Sequence, residues 1–507
     1  MSMRRNMEVY VAGHLLVLSI VLSFVIVVSE AAYPKYLLGR PRGGMLPPPV
    51  TNKYHVLPPD QWIEQKLDHF DPTNTKTWKQ RYFVNDTFFK EGGPVFLMIG
   101  GEGTADPIWM VTGTWIEFAK TYNALCVMLE HRFYGKSHPT SDLSVENLKF
   151  LSSEQGLADL AYFRQYIASK MKVTDNKWVS FGGSYPGSLS VWFRLKYPHL
   201  VDGAVATSAP VEATLDFTGY LDVVRDSLAT SKYGSKCNDN IQSATNMIES
   251  LLDHPLGWRT LTDTFKLCNP LNGTNKNDIA NMFESLVGNF MNVVQYNKDN
   301  RKFEGAVGTE ITIDTICDIM CNESGGDVLE RYAQFNKLIM STYKEKCLDI
   351  SYDSMLAEYR KVSWDSAAAE GGRQWVYQTC SEFAFFQTTD SKDQPFGQYI
   401  PLSFFIQLCQ DVYGERFNKS TIEQNIKRTN TNYGGYGVDV SKVVFPNGSI
   451  DPWHALGITK DIGDDATAIF INGTAHCANM YPATSDDPPQ LVQARKAIQA
   501  SVQQWIQ

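Results

Sequence analysis

The chain has 507 residues, 43% of them hydrophobic and 20% charged, and a formal net charge of −9 at pH 7. That length buries a large core and favours two or more structural units, which excludes a peptide hormone or a disordered tail. The acidic balance, with no long Lys/Arg run, leaves no electrostatic footprint for a phosphate backbone, so nucleic acid is not an expected partner.

At the N-terminus, Arg4 and Arg5 precede an apolar run from Leu15 to Val28, followed by the small residues Ser29, Ala31 and Ala32. This pattern predicts a cleaved secretory signal over residues 1–32. The alternative, an uncleaved membrane anchor with the run extended back to Val9, is disfavoured because the strongly apolar part is short for a bilayer and a cleavage-like site follows; no later segment reaches spanning length, so no membrane association is expected after cleavage. Residues 33–59, rich in Pro and Gly, read as an irregular arm.

From residue 60 to 212, short apolar runs alternate with amphipathic stretches. "PVFLMIG" (94–100), "ALCVML" (124–129), "WVSF" (178–181) and "GAVAT" (203–207) have the length of buried strands, and "EQGLADLAYFRQYIASKM" between them has a helical period. That rhythm predicts an α/β core with a parallel sheet covered on both faces. Over 213–400 the period changes: Ile241, Ala244, Met247, Ile248, Leu251 and Leu252 share one helical stripe, as do Met282, Phe283, Leu286, Val287, Phe290, Met291 and Val294. A helical cap insertion is expected there. The core resumes over 401–507, with strand signals returning as "KVVFPNG" and "ATAIFING" from about Val443.

Seven of the nine cysteines lie between Cys237 and Cys409, with no Cys-x-x-Cys pair or His cluster, which points to a disulfide-stapled region rather than a metal site. Cys126, inside "ALCVML", reads as a buried free thiol. Sequons begin at Asn85, Asn272, Asn322, Asn418, Asn447 and Asn472. The first four are the glycosylation candidates, if exposed.

The chemistry centres on "VSFGGSYPGSLSVWF" (179–193), a strand, a Gly-Gly-Ser turn and a helix. This is how an α/β-hydrolase presents a nucleophilic serine, although such elbows usually read G-x-S-x-G and Pro186 occupies the last position. A Gly-x-Ser-x-x-Gly string arises by chance in about one chain of this length in six, so its context must carry the inference. A serine hydroxyl needs a base, a group to orient that base and donors for the oxyanion. Ser184 is the candidate nucleophile, Asp451 and His476 follow it in the required order, and each comes just after a late strand. Oxyanion donors are expected from the backbone of Tyr185 and from the "IGGEG" loop, where Gly101 and Glu102 are the candidates. His454 and His131 are given structural roles.

Around these residues the chain resembles the serine peptidase family of lysosomal Pro-X carboxypeptidase, dipeptidyl peptidase II and thymus-specific serine protease. The stretches that carry the resemblance include "QKLDHFDP", "EHRFYGKS", "GGSYPGSL", "WFRLKYPHLVDGAVATSAPV", "NGSIDPWH" and "GTAHCANMYP". "APVEATLDF" and "QTCSEF" look most like the thymus-specific branch.

The resemblance implies an α/β-hydrolase fold with an inserted helical, disulfide-containing cap, and catalytic residues at Ser184, Asp451 and His476. It also implies a secreted or lysosomal exopeptidase acting on small peptides beside proline, with no cofactor or metal, and leaves a homodimer open. Trp453 would wall a proline pocket, its alternative being core packing. Thr388 and Thr389 stand where relatives tend to carry a second cysteine, which makes Cys237 the candidate for an unpaired thiol. Glycans at both Asn447 and Asn472 would crowd the site, so at least one is expected to be unmodified or to point away. An esterase or lipase on the same fold, or a catalytically silent binding protein, are the alternative readings.

Overall fold

The computed structural model describes residues 33–50, 55–299, 301 and 306–507. The expected signal segment lies outside these. The core is an eight-stranded sheet whose strands in chain order are β1 (Gln61–Lys66), β2 (Thr77–Asn85), β3 (Val95–Ile99), β4 (Leu125–Leu129), β5 (Trp178–Gly183), β6 (Gly203–Thr207), β7 (Val443–Gly448) and β8 (Ala466–Ile471). Their spatial order is β8-β7-β6-β5-β3-β4-β2-β1.

The last six strands are parallel, as expected, but β1 and β2 are antiparallel, so the sheet is mixed. The expectation of a purely parallel sheet is corrected here. These two strands escaped notice because "TWKQRYFVN" carries Lys79, Gln80 and Arg81 in mid-run. Gln80 and Arg81 are nevertheless buried, Gln80 donating to the Glu130 carbonyl and Arg81 pairing with the Glu130 carboxylate.

Side chains alternate along each parallel strand and so fill both faces. Val95, Leu97 and Ile99 pack towards the helices α2 (Ser153–Lys170) and α3 (Tyr185–Lys196). Phe96 and Met98 join a second cluster with the earlier helix α1 (Thr114–Tyr122) and the C-terminal helix Pro489–Ile506. This is an α/β-hydrolase fold.

Between β6 and β7 the chain is largely helical. The two predicted stripes fall on α4 (Ser235–Leu252) and α5 (Lys276–Gln295), and Ile241, Ala244, Ile248, Met282, Phe283 and Leu286 are buried. Asn275 caps α5 by accepting from the amides of Asn277 and Asp278, meeting donors that a helix start leaves unpaired. Three disulfides staple this region: Cys237–Cys317, Cys268–Cys347 and Cys380–Cys409.

Cys237 is therefore paired, correcting the expectation of a lone thiol there. It faces the helix Ile313–Met320 with a Cα separation of 5.3 Å. Among the described residues Cys126, Cys321 and Cys477 are free and buried, Cys126 as expected.

Burial also sorts the sequons. Asn272 and Asn322 are exposed and Asn418 is partly so. Asn85 is buried, with its amide donating to the Met110 carbonyl at 2.7 Å, and this removes it from the glycan candidates. Asn447 is buried in β7 and donates to the Ile458 carbonyl at 2.8 Å, whereas Asn472 is exposed. Glycopeptide mapping of secreted protein is expected to find glycan at Asn272 and Asn322 and none at Asn85 or Asn447; modification at either buried position would contradict this packing.

Candidate active site

Ser184 follows β5 and precedes α3 with φ 65° and ψ −134°, a left-handed turn that a non-glycine residue adopts only under constraint. The surrounding glycines permit it. A Cβ on Gly182 would lie 2.0 Å from the Pro186 carbonyl oxygen, and one on Gly187 would lie 2.5 Å from the Thr207 carbonyl oxygen. Gly187 thus allows α3 to press against β6, a close approach one residue later than the usual pattern places it. Pro186 sits in the first turn of α3, where its missing N–H forfeits no intrahelical bond. Its ring packs on Gly101, where an added Cβ would lie 2.2 Å from the Pro186 Cγ. The predicted oxyanion loop is therefore beside the elbow.

Asp451 follows β7 and caps the short turn Pro452–Leu456, its Oδ1 accepting from the Trp453 amide at 3.0 Å. The same oxygen is 2.9 Å from the Nδ1 of His476, which follows β8. Both side chains are fully buried. Burial disfavours the imidazolium, but the Asp451 carboxylate and the adjacent Cys477 side chain together hold His476 well above the ordinary histidine value. The backbone N–H of His476 donates to the carbonyl of Gln295 at the end of α5, which ties the site to the cap. Its Nε2 has no hydrogen-bond partner among the described residues.

The Ser184 hydroxyl donates to the thioether of Met45, 3.1 Å away. Met45 belongs to the N-terminal arm. Its N–H donates to Glu102 Oε1 at 2.9 Å, and its carbonyl accepts from the Tyr296 hydroxyl at 2.8 Å. Tyr296 in turn stands edge-on to His476 with centroids 6.2 Å apart. The second carboxylate oxygen of Glu102 has no partner among the described residues, and burial raises its carboxyl above the ordinary value.

Trp453 is fully buried among Phe217, Tyr220 and Phe385, and its Nε1 donates to Gln295 Oε1 at 2.9 Å. The two other histidines hold structure. His454 Nδ1 is 3.1 Å from the Gly448 carbonyl, and His131 Nε2 is 3.1 Å from the Tyr185 hydroxyl. Burial lowers His131 to about 4 and keeps it neutral.

Sequence reasoning missed Met45, Gln295 and Tyr296. The arm has no periodicity to mark it, and the cap residues lie at the end of an otherwise apolar helix. The loops carrying Gly101 and His131 are better signposted by "EHRFYGKS": Glu130 accepts from the Ala105 amide and pairs with Arg81, while Arg132 forms a two-point pair with Asp159 on α2.

Residues 65–498 match the family described as Serine carboxypeptidase S28. The chain belongs to that family. It is 35% identical over 464 residues to the thymus-specific serine protease of Mus musculus, covering 89% of this chain and 88% of that one. It is 31% identical over 476 residues to the lysosomal Pro-X carboxypeptidase of Homo sapiens, covering 90% of each. This S28 chain is accordingly a serine peptidase, and the higher identity to the thymus-specific protein agrees with the resemblance seen in "APVEATLDF" and "QTCSEF".

Proposed function

We propose that the chain removes residues from an end of small peptides, beside proline, by acyl transfer through Ser184, with His476 as base and Asp451 orienting it. The observation that carries this reading is the buried Asp451–His476 pair, bonded through Nδ1, with Nε2 left for a proton, and Ser184 on a left-handed elbow whose Gly183 faces the Cys477 side chain next to His476. Ser184 Oγ would attack the peptide carbonyl as its proton passes to His476 Nε2. His476 then gives that proton to the departing amine, and water resolves the acyl-enzyme by the same route in reverse. The oxyanion would be met by the Tyr185 N–H and by one from Gly101 or Glu102, whose loop rests on the elbow.

Proline preference is supported by two facts. One relative is named for Pro-X cleavage, and the rings of Trp453, Phe217, Tyr220 and Phe385 form an apolar wall suited to a pyrrolidine ring. A secreted or lysosomal location is supported by the N-terminal signal pattern, the three disulfides and the same relative's name.

Digestion of prolyl peptides with free or blocked termini, read by mass spectrometry beside short acyl esters, tests this. Products one or two residues shorter, with kcat/KM above that for the esters, are expected, and the blocked end that stops cleavage identifies the end attacked. Turnover of the esters alone would assign the site to an esterase.

A further inference from the structure

The arm over residues 33–50 is not an idle leader remnant, because it runs through the cleft between sheet and cap and is held there as a bound peptide would be. Its main chain is gripped by side chains on both sides. Trp375 Nε1 donates to the Leu38 carbonyl, Gln295 Nε2 to the Gly39 carbonyl and Tyr481 Oη to the Pro47 carbonyl, at 3.0, 3.0 and 2.8 Å. Arg40, almost fully buried, makes a two-point pair with Glu370 at 2.7 and 2.9 Å and donates from Nε to the Glu102 carbonyl. The Gly43 amide reaches the same Glu370 carboxylate.

Two contacts place the arm on the reactive groups themselves. Gly39, at φ 72°, lies so near Trp453 that a Cβ would fall 2.2 Å from the indole Cζ2, so the arm covers the aromatic wall. Six residues on, the side chain of Met45 accepts the Ser184 hydroxyl, while its N–H and carbonyl are held by Glu102 and Tyr296. The arm presents a thioether, not a carbonyl, to the nucleophile. A thioether offers no electrophilic carbon of the acyl kind, so the arm occupies the centre without being a substrate there.

We propose that residues 33–50 form an intramolecular inhibitor whose Met45 side chain caps Ser184, so that peptides reach the site only when the arm leaves it. The proposal rests on Ser184 being the nucleophile. Arg40 and Glu370 are the anchor, Met45 is the plug, and the solvent-exposed stretch His55–Leu57 just beyond offers a place where the tether can be cut. The aromatic wall under Gly39 and the groups that hold Met45 are then released together.

The test uses the full chain with a recognition sequence for a site-specific endopeptidase in place of His55–Pro58, so that water is added across one bond of the tether and the arm can be washed away. The rate at which a fluorophosphonate labels Ser184 is measured before and after cutting. An arm seated nine-tenths of the time slows labelling about tenfold, so a gain of about tenfold or more is expected on release. A synthetic peptide of residues 33–50 should restore the slow rate, and the same peptide with Met45 replaced by glycine should not. Uncut Met45→Ala, which keeps the Arg40 anchor, should also label faster than the unaltered chain and decides the matter if the cut protein does not stay folded. Equal, rapid labelling of every form would overturn the inhibitor while leaving Ser184 as nucleophile. No labelling of any form, with the protein folded, would overturn the nucleophile and the inhibitor with it.

Discussion

Asp451→Ala is expected to lower kcat on a peptide substrate by about 10⁴-fold, the scale at which loss of the orienting carboxylate acts when nucleophile and base remain. The structure adds a finer expectation. One oxygen, Oδ1, accepts from both His476 Nδ1 and the Trp453 amide, and Oδ2 has no partner among the described residues. Asparagine can keep both bonds through its single oxygen, so Asp451→Asn removes the charge but preserves the geometry. Its activity should therefore fall between those of the parent and the alanine variant.

Loss of the carboxylate also removes the largest of the interactions that hold His476 above its ordinary value. The base then becomes neutral at lower pH, so the acid limb of the asparagine variant's pH–rate profile should move to lower pH. Circular dichroism establishes that each variant is folded, and steady-state kinetics across pH supplies the rest. A folded alanine variant with parental kcat would remove Asp451 from the mechanism.

The second large effect concerns stability. Glu284 is buried in α5 with neither carboxylate oxygen hydrogen-bonded among the described residues, and burial raises it to about 8. Between its unfolded value of about 4.5 and its folded value, the unfolded chain releases this proton and the folded chain retains it. The unfolded state then binds fewer protons, so stability is full at acid pH and declines as pH rises through that window. The loss amounts to about 5 kcal/mol from this group alone. Glu284→Gln has no proton to release and should lose much less. Urea midpoints from pH 4 to 8 compare the two chains, and parallel curves would show that Glu284 is not protonated in the folded state.

What the sequence disclosed depended on how locally each feature is determined. "VFLMI", "LCVML" and "GAVAT" read as strands because both of their faces are buried and no polar residue interrupts them. The strand bearing Arg81 did not, because its buried charge is answered by Glu130, which lies far along the chain. Ser184, Asp451 and His476 stand out as candidates because each closely follows a strand, one, three and five residues past its end. The partnership of Met45 with Ser184 does not, since 139 residues separate them and the arm has no repeating pattern. Cys237 was misjudged for a similar reason. Its partner is fixed by which faces of two cap helices meet, and the loss of a cysteine near Thr388 carries no information about that.

The position of the cap has a consequence for how the protein is made. β6 and β7 pair directly, Ala204 with Val443, although the whole cap lies between them in the chain. A growing chain thus completes the serine's strand and turn early, whereas the segments that bear Asp451 and His476 emerge near the end and dock last. Pairing across so long a separation is slow, and helices and disulfides closed within the cap bring the two strands nearer before they join. Until that final docking, an immature molecule carries the serine without its partners. On this reading, hydrolytic competence is the last property that synthesis confers, and a chain cut short before Val443 should be chemically inert even where its earlier strands have formed.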